Sequence, residues 1–268
     1  MPGRFVLHVI PFSHFNEKAM WVLDLKGIPY DLKPLLNPTD RSEIKRVTGG
    51  KSLTTPVLIE PDGRVLADST DIALRAEELR PDPVLIPAEE PLRSECLLLE
   101  DWADEALGIH TRRWLFGHLL LRDPERGKGF LLGGRPAWQR PLLWPLARRK
   151  LSQAFQLSPR TVAASEALLR RELLLLRDRL ASRRWLVGER PSLADLSVAA
   201  LLGPLVVAGG WREDPELRAV FAWREALLEA CGRRRLLTDP IPPEEERARR
   251  GAQARERLSA LAAATSAS

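Results

Sequence analysis

At 268 residues, with 44% apolar and 29% charged side chains, the chain has material for one large domain or two modest ones with a substantial core. No uninterrupted apolar run reaches the roughly 18 residues that a bilayer-crossing helix needs, and the opening MPGRFVLHVIPF lacks a small-residue cleavage site, so no signal peptide is expected. The net charge of +5 is a local matter: residues 1–80 hold eleven Lys/Arg and eleven Asp/Glu, whereas residues 112–150 hold ten Lys/Arg against Asp123 and Glu125. A surplus confined to one segment argues for a local partner or a basic helix surface, and against a general nucleic-acid binder. Cys96 and Cys231 stand alone, with no CxxC and no Cys/His cluster. They read as free thiols of a reducing cytoplasm, and neither a disulfide nor a metal site is expected.

In chain order, RFVLHVI (4–10) reads as a buried strand and residues 14–27 as a helix stopped by Gly27. That helix is apolar on two faces, Phe15, Ala19, Val22 and Leu23 on one and Trp21 and Leu25 on another, so it should be sandwiched between layers. Between strand and helix lies PFSH, a turn where Ser13 either caps the helix or, since a helix start can hold an anion, touches a ligand. A second short strand (29–36), a polar helical connection (38–48) and the loop GGKSLT follow. Strands at Pro56–Glu60 and Arg64–Ala67 flank the hairpin turn Pro61-Asp62-Gly63, and Ser69 is expected to cap a helix running to about Leu79. Strand and helix in this order make one small α/β module.

The proline-rich RPDPVLIPAEEP then ends the α/β pattern, and long helical periods dominate at about 92–120, 160–182, 192–208 and 213–230. Ser192-x-x-Asp195 is close to a capping box for the third of these. Residues 124–150 combine Gly127, Gly129, Gly133 and Gly134, and Pro136, Pro141 and Pro145, with Phe130, Leu131, Leu132, Trp138, Leu142, Leu143 and Trp144, too broken for a continuous helix and too apolar to stand in water. From Pro240 a charged helix is expected, then a disordered Ala/Ser tail.

The stretches PFSHFNEKAMWVLDLKGIPY, TTPVLI, ADSTDIA and ERPSLADLSVAA, in this order, make the chain resemble the glutathione transferases, bacterial-like and of the Ser/Cys type. The resemblance implies a thioredoxin-like α/β domain over residues 1–80, a linker at 81–91 and an all-helical domain over 92–240. Residues 121–150 are then an insertion in the helical domain, and 241–268 the terminal helix and tail. It implies glutathione as cosubstrate, an apolar electrophile as second substrate, no metal, and a homodimer.

Carried over residue by residue, the resemblance puts Ser13 at the catalytic Ser/Cys position and Asn16 where thioredoxin-like relatives have a second Cys. Disulfide exchange is then closed to this site, whereas a Ser hydroxyl and the helix N-terminus could together stabilise a bound thiolate, the nucleophilic form. Thr55-Pro56 matches the family's cis-proline, with the backbone of Thr55 pairing with the cysteinyl part of glutathione. Asp68 would take the γ-glutamyl ammonium, Ser69 its carboxylate, and Lys51 the glycyl carboxylate. His14 and Asn16 are candidate assistants to Ser13; Phe15, Trp114, Phe116, Trp138, Trp144 and Trp211 are candidates for the apolar pocket.

Two functions of different class remain open from sequence. One is thiol activation for attack on an apolar electrophile; the other is a non-enzymatic protein of the same fold that binds a partner through its surface. The basic, Trp-bearing insertion suits either a lid over the pocket or a docking surface for an acidic protein or lipid headgroups.

Overall fold

The computed structural model describes residues 3–35, 41–233 and 237–266. Its first half is a four-stranded sheet in the order β2-β1-β3-β4, formed by β1 (Phe5–Val9), β2 (Tyr30–Pro34), β3 (Val57–Ile59) and β4 (Val65–Leu66). β1 runs parallel to β2, with Phe5 opposite Tyr30, and antiparallel to β3, with Leu7 opposite Leu58. The parallel pair needs a crossover, which α1 (His14–Leu25) supplies. Gly27, at φ +63°, ends α1 in the left-handed conformation that glycine adopts without a Cβ penalty. The β3–β4 hairpin turns at Asp62-Gly63, where the Asp62 carboxylate accepts the Arg64 N–H at 2.9 Å. The short α2 (Ser42–Val47) lies before β3, and α3 (Ser69–Leu79) completes the thioredoxin-like domain.

The second domain is all helical. What the periodicity reads as one helix from residue 92 is a rod of α4 (Leu92–Trp102) and α5 (Ile109–Gly117), with π-helical turns at Ala103–Gly108 and His118–Arg122. Then come α6 (Pro124–Leu132), α7 (Arg140–Ala154), α8 (Pro159–Leu180), α9 (Leu193–Leu201), α10 (Gly203–Val207), α11 (Arg218–Ala230) and α12 (Glu244–Ser266). The insertion is indeed no continuous helix, but both halves are helical, parted at residues 133–136. Pro141 falls in the opening turn of α7, where the N–H it lacks would have had no intrahelical partner, and α7 runs on past Pro145, which lies inside it. The terminal segment corrects the sequence reading: α12 continues through the Ala-rich tail to Ser266.

α1 is buried on both sides, as its two apolar faces require, packing against α3 and against α9 and α12 of the helical part. Lys18 has no exposed surface; its ammonium meets Glu100, Asp104 (2.9 Å) and the Thr70 hydroxyl (3.0 Å). A buried cation is tolerated only with such partners, and here they come from α3 and the α4 rod, which fixes the two domains together. The Asp195 carboxylate accepts from the N–H and hydroxyl of Ser192 and from the Leu186 N–H (2.9, 2.7 and 2.8 Å), tying the start of α9 to the preceding loop. Cys96 and Cys231 are both buried free thiols. No helix among the described residues is long and apolar enough to cross a membrane.

Candidate active site

A cleft of about 1170 Å³ opens between the two domains. Its floor begins where β1 ends. The Ser13 N–H donates to the Ile10 carbonyl at 2.9 Å, closing the turn, and the Ser13 carbonyl accepts the Glu17 N–H at 3.1 Å, starting α1. Ser13 is the N-cap residue by backbone conformation, yet its hydroxyl makes no capping bond. It lines the cleft instead, at the positive end of the α1 dipole.

Asn16 is fully buried and joins the two loops of the floor. Its Nδ2 donates to the Ile10 carbonyl (2.9 Å) and to the Thr55 hydroxyl (3.1 Å), bringing the Ser13 turn beside the Thr55–Pro56 loop. The Thr55–Pro56 bond is cis, as the resemblance implies, and Thr54 and Thr55 line the cleft with Ser13.

His14 is also buried, its ring 4.7 Å from that of Phe15. A carbonyl can only accept, so the His14 Nε2 donates to the Gly108 carbonyl at 2.9 Å. Burial pushes the imidazole pKa down to about 3, against the opposing pull of the Gly108 bond and with a smaller push from Arg112. The ring is therefore neutral at ordinary pH and pinned to the π-helical turn of the helical rod. Gly108 is required there: a Cβ would lie 2.5 Å from the Phe15 ring.

Asp68, not Ser69, is the cap of α3. Its Oδ1 accepts the N–H groups of Thr70 (2.7 Å) and Asp71 (3.3 Å), and Ser69 is the buried first residue of the helix. The reason is local geometry: Asp68 has the extended backbone that an N-cap needs, and its carboxylate reaches two N–H groups. Both bonds fall on Oδ1, so Oδ2 is clear of the cap. Lys51 is exposed in the loop after α2 and does not line the cleft; neither do Pro56, Asp68 and Ser69.

The roof is the insertion. Leu143, Ala147, Leu151 and Phe155 recur every four residues along and just past α7 and face the cleft with Leu131 and Leu132. Gly127 seats α6 directly on the backbone of the helical rod, where a Cβ would stand 2.1 Å from the Leu119 oxygen. Much of the segment's positive charge is spent on holding it in place. Arg113 donates to the Phe155 carbonyl (3.1 Å), Arg126 to that of Val207 (2.6 Å), and Arg140 to those of Arg135 and Gly133 (3.0 and 2.8 Å).

Of the aromatic candidates, Phe15 and Phe116 line the cleft. Trp114 and Trp211 do not: they form an edge-to-face pair, centroids 5.6 Å apart, beside a separate cavity of about 590 Å³ that His118 also lines. Trp138 is 69% exposed on the outside of the insertion, and Trp144 packs over Gly127. Helical spacing shows that these rings share faces but not which face meets the cleft. Sequence reasoning missed Arg41, Arg112 and the α7 face. The four-residue spacing of residues 143–155 was the available signal, obscured by the glycines and prolines around it.

Comparison with known proteins agrees with this architecture. The family model for the glutathione S-transferase N-terminal domain matches residues 7–84, and that for the C-terminal domain matches residues 159–226. No curated protein gives a significant match in sequence. Among solved structures, a glutathione S-transferase from Rhodospirillum rubrum F11 is 21% identical, with a TM-score of 0.62 over 91% of this chain and 98% of its own. FzlA from C. crescentus is 22% identical, with a TM-score of 0.64 over 89% of this chain and 94% of its own. A glutathione S-transferase from Methylobacterium radiotolerans in complex with glutathione sulfonate is 20% identical, with a TM-score of 0.59 over 89% of this chain and all of its own. With both domain models matched in order on a thioredoxin-like sheet followed by helices, this chain is a member of the glutathione S-transferase family.

Proposed function

We propose that the chain activates the thiol of glutathione for attack on an electrophile with a bulky apolar body. The observation that carries this reading is Ser13: a hydroxyl at the start of a twelve-residue helix, unused as a cap, on the floor of a large cleft. Bound with its sulfur near Ser13, glutathione loses the thiol proton to solvent, and the hydroxyl donates to the thiolate while the α1 dipole adds to its stabilisation. The sulfur then forms the new bond to carbon, and the leaving group departs with its electron pair. The backbone of Thr55 pairs with the cysteinyl part, Oδ2 of Asp68 takes the γ-glutamyl ammonium, and Ser69, at the start of α3, takes its carboxylate. Lys51 reaches the glycyl carboxylate from the exposed loop. The roof excludes water from the cleft and sets which electrophiles enter.

The test is Ser13→Ala. The bound thiol's pKa, read from thiolate absorbance, should rise, and kcat should fall by about ten- to a thousand-fold, the value of a charge-assisted hydrogen bond partly lost in the transition state. Unchanged turnover removes Ser13 from the mechanism.

A second reading, docking of a protein partner without catalysis, draws on Trp138 and Leu142, 69% and 72% exposed on the outer side of the insertion. Failure of the chain to be retained on immobilised glutathione would favour it. In either case we expect a cytoplasmic two-fold homodimer, the thioredoxin-like domain of one protomer against the helical domain of the other. A light-scattering mass equal to a single chain at micromolar concentration contradicts that assembly.

A further inference from the structure

The cleft is apolar over most of its wall, but the charge it carries has one sign. Arg41, Arg112, Arg135 and Lys150 line it, and no carboxylate among the described residues does. Arg112, from α5, stands at the meeting of floor and roof, its guanidinium 5.7 Å from the ring centre of Phe15 and 4.9 Å from that of Phe155. Two rings holding one guanidinium fix its plane but satisfy none of its N–H groups. It donates no hydrogen bond and makes no ion pair among the described residues. Partial burial, and then the like charges of Arg113 and Arg41, lower its pKa below the usual arginine value. Arg113 has a carbonyl partner; Arg112 has none. Arg41 adds a buried Nη1 that also lacks a hydrogen-bond partner among the described residues.

A guanidinium held against an apolar wall with no carboxylate beside it, as Arg112 is among the described residues, is costly to desolvate and is normally paired. The two carboxylates of glutathione are assigned above to Ser69 and Lys51, on the thioredoxin-like half, which leaves Arg112 to the second substrate. Resting on the reaction proposed for this site, we infer that the electrophile is an organic acid: a carboxylate or sulfonate fixed to a bulky apolar body. The oxyanion pairs with the Arg112 edge, and the body lies against Leu115, Phe116, Leu143 and Leu151. Arg112 is thus a specificity determinant, since an apolar wall alone discriminates weakly between apolar bodies, whereas a half-buried guanidinium held between two rings, with no carboxylate beside it among the described residues, favours a ligand that carries the acid.

Two arms test this. Anilinonaphthalene sulfonate and phenylnaphthylamine differ by the sulfonate alone, and both are fluorescent when bound. The full chain should bind the sulfonate at least about tenfold more tightly, Arg112→Gln should erase that preference, and Arg112→Lys should keep part of it. With glutathione present, a chloronitrobenzoate should be turned over with a higher kcat/KM than its methyl ester, the Arg112→Gln variant losing the difference mainly through KM. Equal affinity for the two probes in the unmodified chain, or a preference that survives Arg112→Gln, overturns the inference. A glutathione titration in parallel separates the two claims. Discrimination between the probes without glutathione binding leaves the acid site standing and removes the reaction; glutathione binding without discrimination does the reverse.

Discussion

On the floor of the cleft, Ser13, Asn16 and Thr55 are placed by backbone events: the end of β1, the start of α1, and a hydrogen-bonded bridge from Asn16 to the loop of the cis Thr55–Pro56 bond. On the roof, Leu143, Leu151 and Phe155 are placed by the packing of α6 and α7 on the helical rod, and no turn or cap dictates their identity. A floor set by backbone geometry tolerates few residue types at each position and therefore leaves a pattern in sequence. A roof set by side-chain packing accepts many apolar combinations of similar volume and leaves only a spacing, not residue identities. Floor variants should change the chemistry of the thiol, and roof variants the range of second substrates.

The largest effect is expected at His14, which ties the floor to the helical rod that carries the roof. Its folded-state pKa of about 3 lies below the unfolded value of about 6.5, so the unfolded chain takes up a proton that the folded chain refuses. The stability is therefore fully present above pH 6.5 and is lost as pH falls toward 3, by about 1.4 kcal/mol per pH unit at most. Asp104 and Asp195, both raised to about 6 by burial, act the other way, with stability falling as pH rises from about 4 to 6. His14→Gln, whose amide can still donate to Gly108, leaves those two terms in place. Denaturant titrations of both proteins between pH 7 and 3.5 should diverge by several kcal/mol at the acid end; parallel curves would show that His14 is not neutral and buried as described.

Next is the seat of the roof. Gly127→Val drives a side chain into the Leu119 carbonyl and should cost about 1–3 kcal/mol or lift α6 from the rod. Urea midpoints report the first outcome. The ratio of kcat/KM across electrophiles of different bulk should change while glutathione affinity does not. A fall in glutathione affinity as large as the change in ratio would break the division between floor and roof.

The smallest of these effects belongs to Asp68→Ala. Losing the α3 cap should cost about 1 kcal/mol of stability, and losing the ammonium partner should raise the KM for glutathione with kcat nearly kept, because that end of the tripeptide lies away from the sulfur. A collapse of kcat at constant KM would move Asp68 into the chemistry.

Much of the fold could be read from sequence because its devices are local. Gly27 as a helix stop, Asp62-Gly63 as a hairpin turn and Ser192-x-x-Asp195 as a helix start depend on residues a few positions apart, and each was found where expected. The cap of α3 was misplaced by one residue, from Asp68 to Ser69, because both side chains can cap and only the backbone conformation chooses between them. The aromatic wall was misjudged for a different reason. Trp114, Trp138 and Trp211 are apolar at helical spacing, and whether such a ring meets the cleft, another cavity or solvent depends on how each helix is rotated against its neighbours.

By itself the sequence determined a small α/β module followed by helices, the placement of Ser13 at the head of α1, and the absence of Cys at positions 13 and 16, since periodicity, turn chemistry and residue identity act over short spans of chain; the thioredoxin-like character came from the resemblance. Only the tertiary structure decided that Ser13 keeps its hydroxyl out of the cap, that His14 is neutral and tied to Gly108, and that Arg112 stands between Phe15 and Phe155 without an ion pair among the described residues. Those facts join positions up to 140 residues apart in the chain, from Phe15 to Phe155, and burial and charge pairing come into being only when packing brings such positions together.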